Sequence, residues 1–373
     1  MAKFPQRLEG WPYKVLIICR RGLSDIIWAL PLITAIKSLF PTAKIDWMID
    51  DKYADFISCV KGVDDKVIYP RGDVWPLLKP FKPLFRPLVQ ALQIVRSFIA
   101  KLRDRLYPAS FDVEDTIAAR LLTYLASIRL RVGRKKSFGL HSLNNYAVPV
   151  ELFSEGHAID RNIALLYGWA KDLKLKPEPP EIILPEETLK RRDEFLEKIK
   201  IEKRRYVVMH PGAPYPSRQW SGDGYAELAK SLYENYGYKS VLTWGVGEKG
   251  CAWEVVEKAG MEIAFLAPDC DLLLLTAIIK EAVLCVAPDT GPLHLASALK
   301  IPTVGLYGTT DPAERRPYWG CSRVVSRYPD AKNWAEKKLA LDVCPIMQEI
   351  PSEEVFAAAA AALEEAAKTG NNL

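Results

Sequence analysis

The sequence predicts an α/β protein made of two doubly wound domains, and three observations lead there. The chain has 373 residues, too many for one small domain and suited to two of ordinary size. In both halves short apolar runs alternate with helical stretches, the pattern of a parallel sheet with crossover helices. Between the halves lies KLKPEPPEIILP, residues 174–185, whose four prolines make it the best linker. The composition, 49% hydrophobic and 26% charged, is that of a globular protein and excludes a disordered or collagen-like chain. No stretch approaches the run of about 20 apolar residues that spans a bilayer. The opening MAKFPQRLEGWPYK has no apolar h-region, so no secretory signal is expected. Seven scattered cysteines without a C-x-x-C pair read as reduced thiols.

The expected boundaries are 1–175 for a first Rossmann-like domain, 186–350 for a second, and 351–373 for a C-terminal helix returning toward the first. In the first domain Val15 to Cys19 is an apolar run that reads as a buried strand, followed by a polar turn, Arg20 to Asp25. Ile26 to Leu39 then read as one helix stopped by Pro41, and Lys44 to Ile49 and Val67 to Tyr69 as further strands. In the second domain Tyr206 to His210, Ser240 to Trp244, Glu262 to Leu266, Val283 to Ala287 and Thr303 to Tyr307 read as five strands. Helices over 224–236, 251–259, 272–282 and 292–299 separate them, and an Ala-rich helix over 353–368 ends the chain. Ligands of doubly wound sheets bind beyond the carboxyl ends of the strands, so the βα loops are where function is sought.

Charge is unevenly spread. Residues 71–105 hold eight basic side chains against two acidic ones, a local +6, while the whole chain carries only +5. A total of that size does not suggest a nucleic-acid partner. Within the segment KPFKPLFRP is broken by Pro80, Pro83 and Pro87 and cannot be regular helix. Beyond it Leu88, Leu92, Val95, Ile99, Leu102 and Leu106 recur at helical spacing. Such a segment either lies on an anionic membrane, with Lys79, Lys82, Arg86 and Arg96 as candidate contacts, or packs its apolar stripe on the core.

Four loops carry candidate chemistry. PDTGPLHLASA, 288–298, leaves a strand and enters a helix at once. Asp289 or Thr290 suits the cap, Gly291 allows close approach of a ligand, and Pro292 suits the first turn. The helix start attracts a phosphate, to which His294 can donate. HPGAPYPSRQW, 210–220, brings small residues and Arg218, whose fork suits phosphate. GVGEKG, 245–250, is a literal G-x-G-x-x-G, but it follows the second strand of its domain rather than the first, which weakens a dinucleotide reading. Its milder use is that Gly245 and Gly247 clear space and Glu248 binds a nucleoside. In RRGLSDIIWALP, 20–31, Asp25 stands where it serves either as an N-cap or as a general base. Four histidines at no ligand spacing argue against a metal site.

Together these segments resemble the bacterial ADP-heptose:lipopolysaccharide heptosyltransferases, glycosyltransferase family 9. The segments are DIIWALPLITAIKSLFPTAKIDWMID (25–50), HPGA with SRQW (210–220) and DTGPLHLASALKIPTVGLYGTTDP (289–312), in the family's order. The resemblance implies a GT-B fold, two Rossmann-like domains facing across a cleft. It implies an inverting, metal-independent transfer of heptose from an ADP-sugar donor to the lipid-linked core oligosaccharide of lipopolysaccharide, with no cofactor. It places Asp25 on the family's proposed catalytic base. Arg218 falls where many members carry a diphosphate-binding lysine. Asp289, Thr290, Gly291 and His294 fall on the donor motif, and Glu248 on the acidic residue that contacts the ribose. It also implies a cytoplasmic protein, peripheral on the inner face of the inner membrane. The departures are Ser24 before Asp25, where the family has glycine, and arginine for lysine at 218. The competing expectations are another nucleotide-sugar or acceptor, a nicotinamide oxidoreductase built on GVGEKG, and a non-catalytic membrane-associated binding protein.

Overall fold

A computed structural model describes residues 12–71, 85–134, 143–149, 152, 156–170, 175–328, 330 and 343–370; of 85–88 and 169–170 only the backbone is described. The chain divides into two units, Met1–Glu181 and Ile182–Leu373. The division falls inside the proline-rich segment chosen as the linker.

The first unit holds a six-stranded parallel sheet of β1 (Lys14–Ile18), β2 (Lys44–Asp50), β3 (Asp65–Tyr69), β4 (Ala109–Asp112), β5 (Leu130–Arg134) and β6 (Tyr146–Val148). Their order is β3-β2-β1-β4-β5-β6. Leu16, Ile18, Met48 and Val67 from the first three strands bury one face against Phe98, Ile99 and Leu102 of the helix Phe85–Asp104. The helix expected over 26–39 is two helices, Leu23–Ala29 and Pro31–Leu39. Pro31 has no N–H, so the second helix starts there as a new first turn.

Pro87, read above as a breaker, lies in the first turn of the Phe85–Asp104 helix, where its missing N–H has no partner to lose. The apolar stripe of this helix is split. Ile99 and Leu102 are buried, whereas Val89 and Leu92 are 40% and 54% exposed; Leu106, expected on the same stripe, lies beyond the helix end and is 72% exposed. The segment therefore both packs on the core and leaves apolar surface outside.

The second unit repeats the topology with β7 (Tyr206–Met209), β8 (Lys239–Leu242), β9 (Ala264–Leu266), β10 (Leu284–Pro288), β11 (Thr303–Tyr307) and β12 (Ser322–Ser326). The order β12-β11-β10-β7-β8-β9 is again that of a doubly wound sheet. The C-terminal helix, Ser352–Thr369, is counted with this unit and packs on its sheet and on the Gly222–Tyr236 helix, not as a separate element. Val355, Ala359, Ala362 and Ala366 form its buried stripe, and the small alanines let it lie close. Both units are parallel α/β sheets with helices, a pair of Rossmann-like halves of the GT-B kind. No helix among the described residues is long and apolar enough to cross a membrane.

Candidate active site

In a sheet ordered this way the chain leaves the first and fourth strands in opposite directions, and a crevice opens beyond their carboxyl ends. In the second unit those strands are β7 and β10, which pair directly. The loop after β7 carries His210 and Arg218; the turn after β10 carries Asp289 and Thr290 and runs at once into the helix Gly291–Ala298. Thr290 occupies the N-cap position of that helix, as expected, but its side chain makes no capping hydrogen bond. The Thr290 hydroxyl donates backward to the carbonyl of Pro288 at 3.1 Å. Asp289 faces His294 instead, with Oδ1 2.9 Å from Nε2 and both side chains 2% exposed. The first turn is thus left without a side-chain partner, the condition under which a helix start binds an anion.

Two guanidinium groups converge on the same carboxylate. Arg218 Nη1 lies 3.6 Å and Arg315 Nη1 3.7 Å from Asp289 Oδ2. Arg218 also donates to the carbonyl of Asp289 at 3.2 Å. Oδ2 is buried and accepts no hydrogen bond from the described residues. Burial alone would raise the pKa of Asp289; His294, then Arg218 and Arg315, overcome this and hold the carboxyl below its ordinary range. Burial lowers the pKa of Arg218 and the charge of Arg315 adds to this, against the pull of Asp289. Arg315 was not singled out from the sequence. It follows β11, three residues past the end of the motif DTGPLHLASALKIPTVGLYGTTDP.

The GVGEKG loop follows β8. Gly247 has φ +85° and Gly245 stands against Glu248, where a Cβ would meet Oε2 at 2.8 Å. Gly212, from the loop after β7, would meet the same oxygen at 2.5 Å. Gly245 and Gly212 make room for Glu248 itself. Its Oε2 accepts from the N–H of Gly245 at 2.8 Å and lies 3.3 Å from His210 Nε2. Burial opposes ionisation of Glu248, but His210 and the Gly245 N–H hold its pKa down. His210 is fixed from its other side by Thr243, 3.1 Å from Nδ1. Gly245 and Gly212 thus serve a His–Glu pair beside the switch point, and the dinucleotide reading loses its basis.

The equivalent place in the first unit lies beyond β1 and β4. Asp25 is the third residue of the helix Leu23–Ala29, whose N-cap is Gly22, so it is not an N-cap. It is half-buried, in a first turn where a negative charge is favoured. Carboxylates crowd this end of the sheet. Arg20 binds Glu114 through Nη2 at 2.6 Å and Nε at 3.2 Å and stacks on Tyr69 at 4.1 Å. Asp112, on β4, is pushed up to about 7 by burial, with Asp115 and Glu114 adding to it. Arg134 pairs with Asp115 at 3.1 Å, while Asn162 donates to the carbonyl of Trp28 at 2.8 Å, tying down the far end of the Asp25 helix.

The structure therefore gathers Arg218, Asp289, Thr290, Gly291 and His294 at one crevice, with Gly245, Gly247 and Glu248 in the next loop and Asp25 in the other unit. Of the membrane candidates, Lys79 and Lys82 lie outside the described residues, as does the side chain of Arg86; Arg96 is exposed on its helix. Among the described residues no group of histidine, cysteine, aspartate and glutamate is placed to hold a metal ion.

Comparison with known proteins bears on family and fold. The chain is 24% identical over 306 residues to lipopolysaccharide heptosyltransferase 1 of Pseudomonas aeruginosa, covering 80% of this chain and 79% of that one. Its fold resembles the glycosyl transferase family 9 protein of Veillonella parvula, with TM-score 0.78, 18% identity, and 96% and 99% of the two chains covered. It also resembles the E. coli ADP-heptose lps heptosyltransferase II, with TM-score 0.74, 21% identity, and 94% and 99% covered. Residues 95–341, more than half of the chain, match glycosyltransferase family 9 (heptosyltransferase). The chain belongs to that family: it is a glycosyltransferase of the lipopolysaccharide heptosyltransferase kind.

Proposed function

We propose that this enzyme transfers heptose from ADP-L-glycero-D-manno-heptose to the inner core of lipopolysaccharide, with inversion and without a metal ion. The observation that carries the reading is the convergence of Arg218 and Arg315 on Asp289, beside the uncapped start of the Gly291–Ala298 helix. Two fixed cations and a helix start suit a diphosphate, and they do there what a bound divalent ion does in other transferases. The likeness to the E. coli ADP-heptose lps heptosyltransferase II supports ADP-heptose as the donor. Glu248, held ionised by His210 and Gly245, offers its remaining oxygen to the ribose hydroxyls.

In the proposed step the acceptor hydroxyl attacks the anomeric carbon from the face opposite the leaving group. The new C–O bond forms as the bond to the β-phosphate oxygen breaks, and that electron pair leaves with ADP. The hydroxyl proton passes to the carboxylate of Asp25. A single displacement inverts the anomeric carbon. Arg218 and the helix start meet the charge that develops on the diphosphate.

The acceptor is lipid-linked, and the exposed Val89 and Leu92 beside Arg96 support a peripheral position on the inner face of the inner membrane. The test is transfer to purified core lipid with ADP-heptose, GDP-sugars and UDP-sugars in parallel, with EDTA present and the product anomer read by NMR. The expected result is transfer from ADP-heptose alone, unaffected by EDTA, with inverted configuration. Preference for another nucleotide, loss of activity in EDTA, or retention contradicts the reading. Flotation with anionic vesicles tests the membrane arm; it expects binding that fades as salt rises, and no binding rejects it.

A further inference from the structure

We infer that His210 is a positioning residue for nucleotide recognition: acting through Glu248, with Thr243 behind it, it makes the ribose hydroxyls the contact that separates the donor from a deoxy nucleotide. The inference rests on the donor reading above and extends it to two residues that touch no ligand in that reading.

Three observations carry it. The first is where the carboxylate of Glu248 goes. Glu248 stands at the N-cap of the helix Lys249–Ala259, yet its side chain makes no capping bond. It turns back instead, and Oε2 takes both the N–H of Gly245 at 2.8 Å and the contact with His210 Nε2 at 3.3 Å. Both fall on one oxygen, so the carboxylate is held from one side, which leaves Oε1 to accept from a ligand. The Glu248 side chain is 16% exposed, so it reaches the surface of the loop without being loose there.

The second observation is how the imidazole is held. His210 is 4% exposed. Its backbone N–H donates to the carbonyl of Val286 at 3.0 Å, and its own carbonyl accepts from the hydroxyl of Tyr225 at 3.4 Å. Across the ring, Thr243 Oγ1 lies 3.1 Å from Nδ1 and 3.3 Å from the carbonyl of Met209. A hydroxyl both donates and accepts. Beside a neutral ring it donates to Nδ1; beside a charged ring it accepts from Nδ1 and donates to Met209. In either state Nε2 carries the proton that faces Glu248. The ring is buried, so what it does for a nucleotide it does through the carboxylate.

The third is clearance. Gly212 and Gly245 belong to the loops after the adjacent strands β7 and β8, and a Cβ on either would meet Oε2, at 2.5 and 2.8 Å. Donors and space for this one oxygen thus come from both loops. A solvated surface charge needs no such precision, whereas a directional hydrogen bond to a sugar hydroxyl does.

The test compares ADP with 2′,3′-dideoxy-ADP, which keeps the diphosphate and lacks the ribose hydroxyls. Binding of each to the full chain is measured by calorimetry, with melting temperature as the control for folding. Hydrogen bonds to a charged group predict that the wild type favours ADP about tenfold or more. His210→Phe keeps a ring and removes the donor. It should bring that ratio close to one and leave the dideoxy nucleotide nearly unaffected. His210→Gln, whose amide also donates, should keep part of the ratio, and Thr243→Val should fall between. Gly212→Ala, which crowds the same oxygen from the other loop, should lower the ratio as well. If His210→Phe fails to fold, Gly212→Ala and Thr243→Val decide by the same ratio. A ratio that stays at the wild-type value in the folded variants overturns the inference. So does an equal loss for both nucleotides, the signature of a residue that only supports the fold. A wild type that binds both nucleotides equally overturns the ribose role of Glu248 and the inference with it. A wild type that binds no ADP is a separate outcome, which overturns the donor reading itself.

Discussion

The two units share a strand order and place their loops at the same topological position, yet the chemistry there is opposite. Beyond β7 and β10 the second unit collects cations, Arg218 and Arg315, around one carboxylate and an open helix start. Beyond β1 and β4 the first unit collects carboxylates, with Asp112, Glu114 and Asp115 shared among Arg20, Arg120 and Arg134, and Asp25 on the adjoining helix. In the function proposed, one scaffold holds an anion and the other a negative charge that takes a proton. The backbone supplies a crevice in both; side chains at the strand ends decide which reactant it serves.

The largest expected effect separates the two roles. Asp25→Ala should lower turnover by up to about 10⁴-fold and leave ADP affinity nearly unchanged; retained turnover would make Asp25 structural. Arg218→Gln should act on the other side of the comparison. It should cost about 10²-fold in kcat/KM and weaken ADP in parallel, and an effect on kcat with full ADP affinity would misplace it.

A smaller effect appears in stability against pH. Asp112 titrates near 7 in the folded chain and near an ordinary value of about 3.9 unfolded. Between those values the folded state binds more protons, so this group makes stability fall as pH rises. Asp289 and Glu248 have lowered pKa values. Their contribution is present above the ordinary carboxylate pKa and is lost as pH falls through the folded value. Asp112→Asn should therefore raise the melting temperature by an amount that grows between about pH 4 and pH 8. A constant difference, or one that shrinks, contradicts the assignment.

Much of the second unit was legible in its sequence. β7, β10 and β11 are unbroken apolar runs buried on both faces, and such strands announce themselves. β4, β5, β6 and β12 were not found. β4, β5 and β12 are four or five residues long and carry Ser110, Asp112, Arg131, Arg134 and Arg323, so no apolar run marks them, and β6 is only three residues, Tyr146–Val148. In β4 the obscuring residue, Asp112, belongs to the carboxylate cluster at the switch point. The turn at 288–298 was readable because a helix start needs its turn residues contiguous in sequence. Arg315 was not, because it reaches Asp289 through a loop that follows a different strand. The partner of Glu248 was hidden for the same reason: His210 and Glu248 lie in loops after adjacent strands. The basic helix was read for its periodicity, but which of its apolar residues face the core depended on β1, β2 and β3 beneath it.

The central claim is that the helix opening at Gly291, with Arg218, receives the donor diphosphate. A crystal structure of the chain with ADP tests it most directly. The account predicts phosphate oxygens about 2.7–3.1 Å from the N–H groups of that first turn and from the Arg218 fork, with the ribose beside Glu248. ADP bound elsewhere, or a diphosphate that leaves the Gly291 turn and Arg218 untouched, would contradict it.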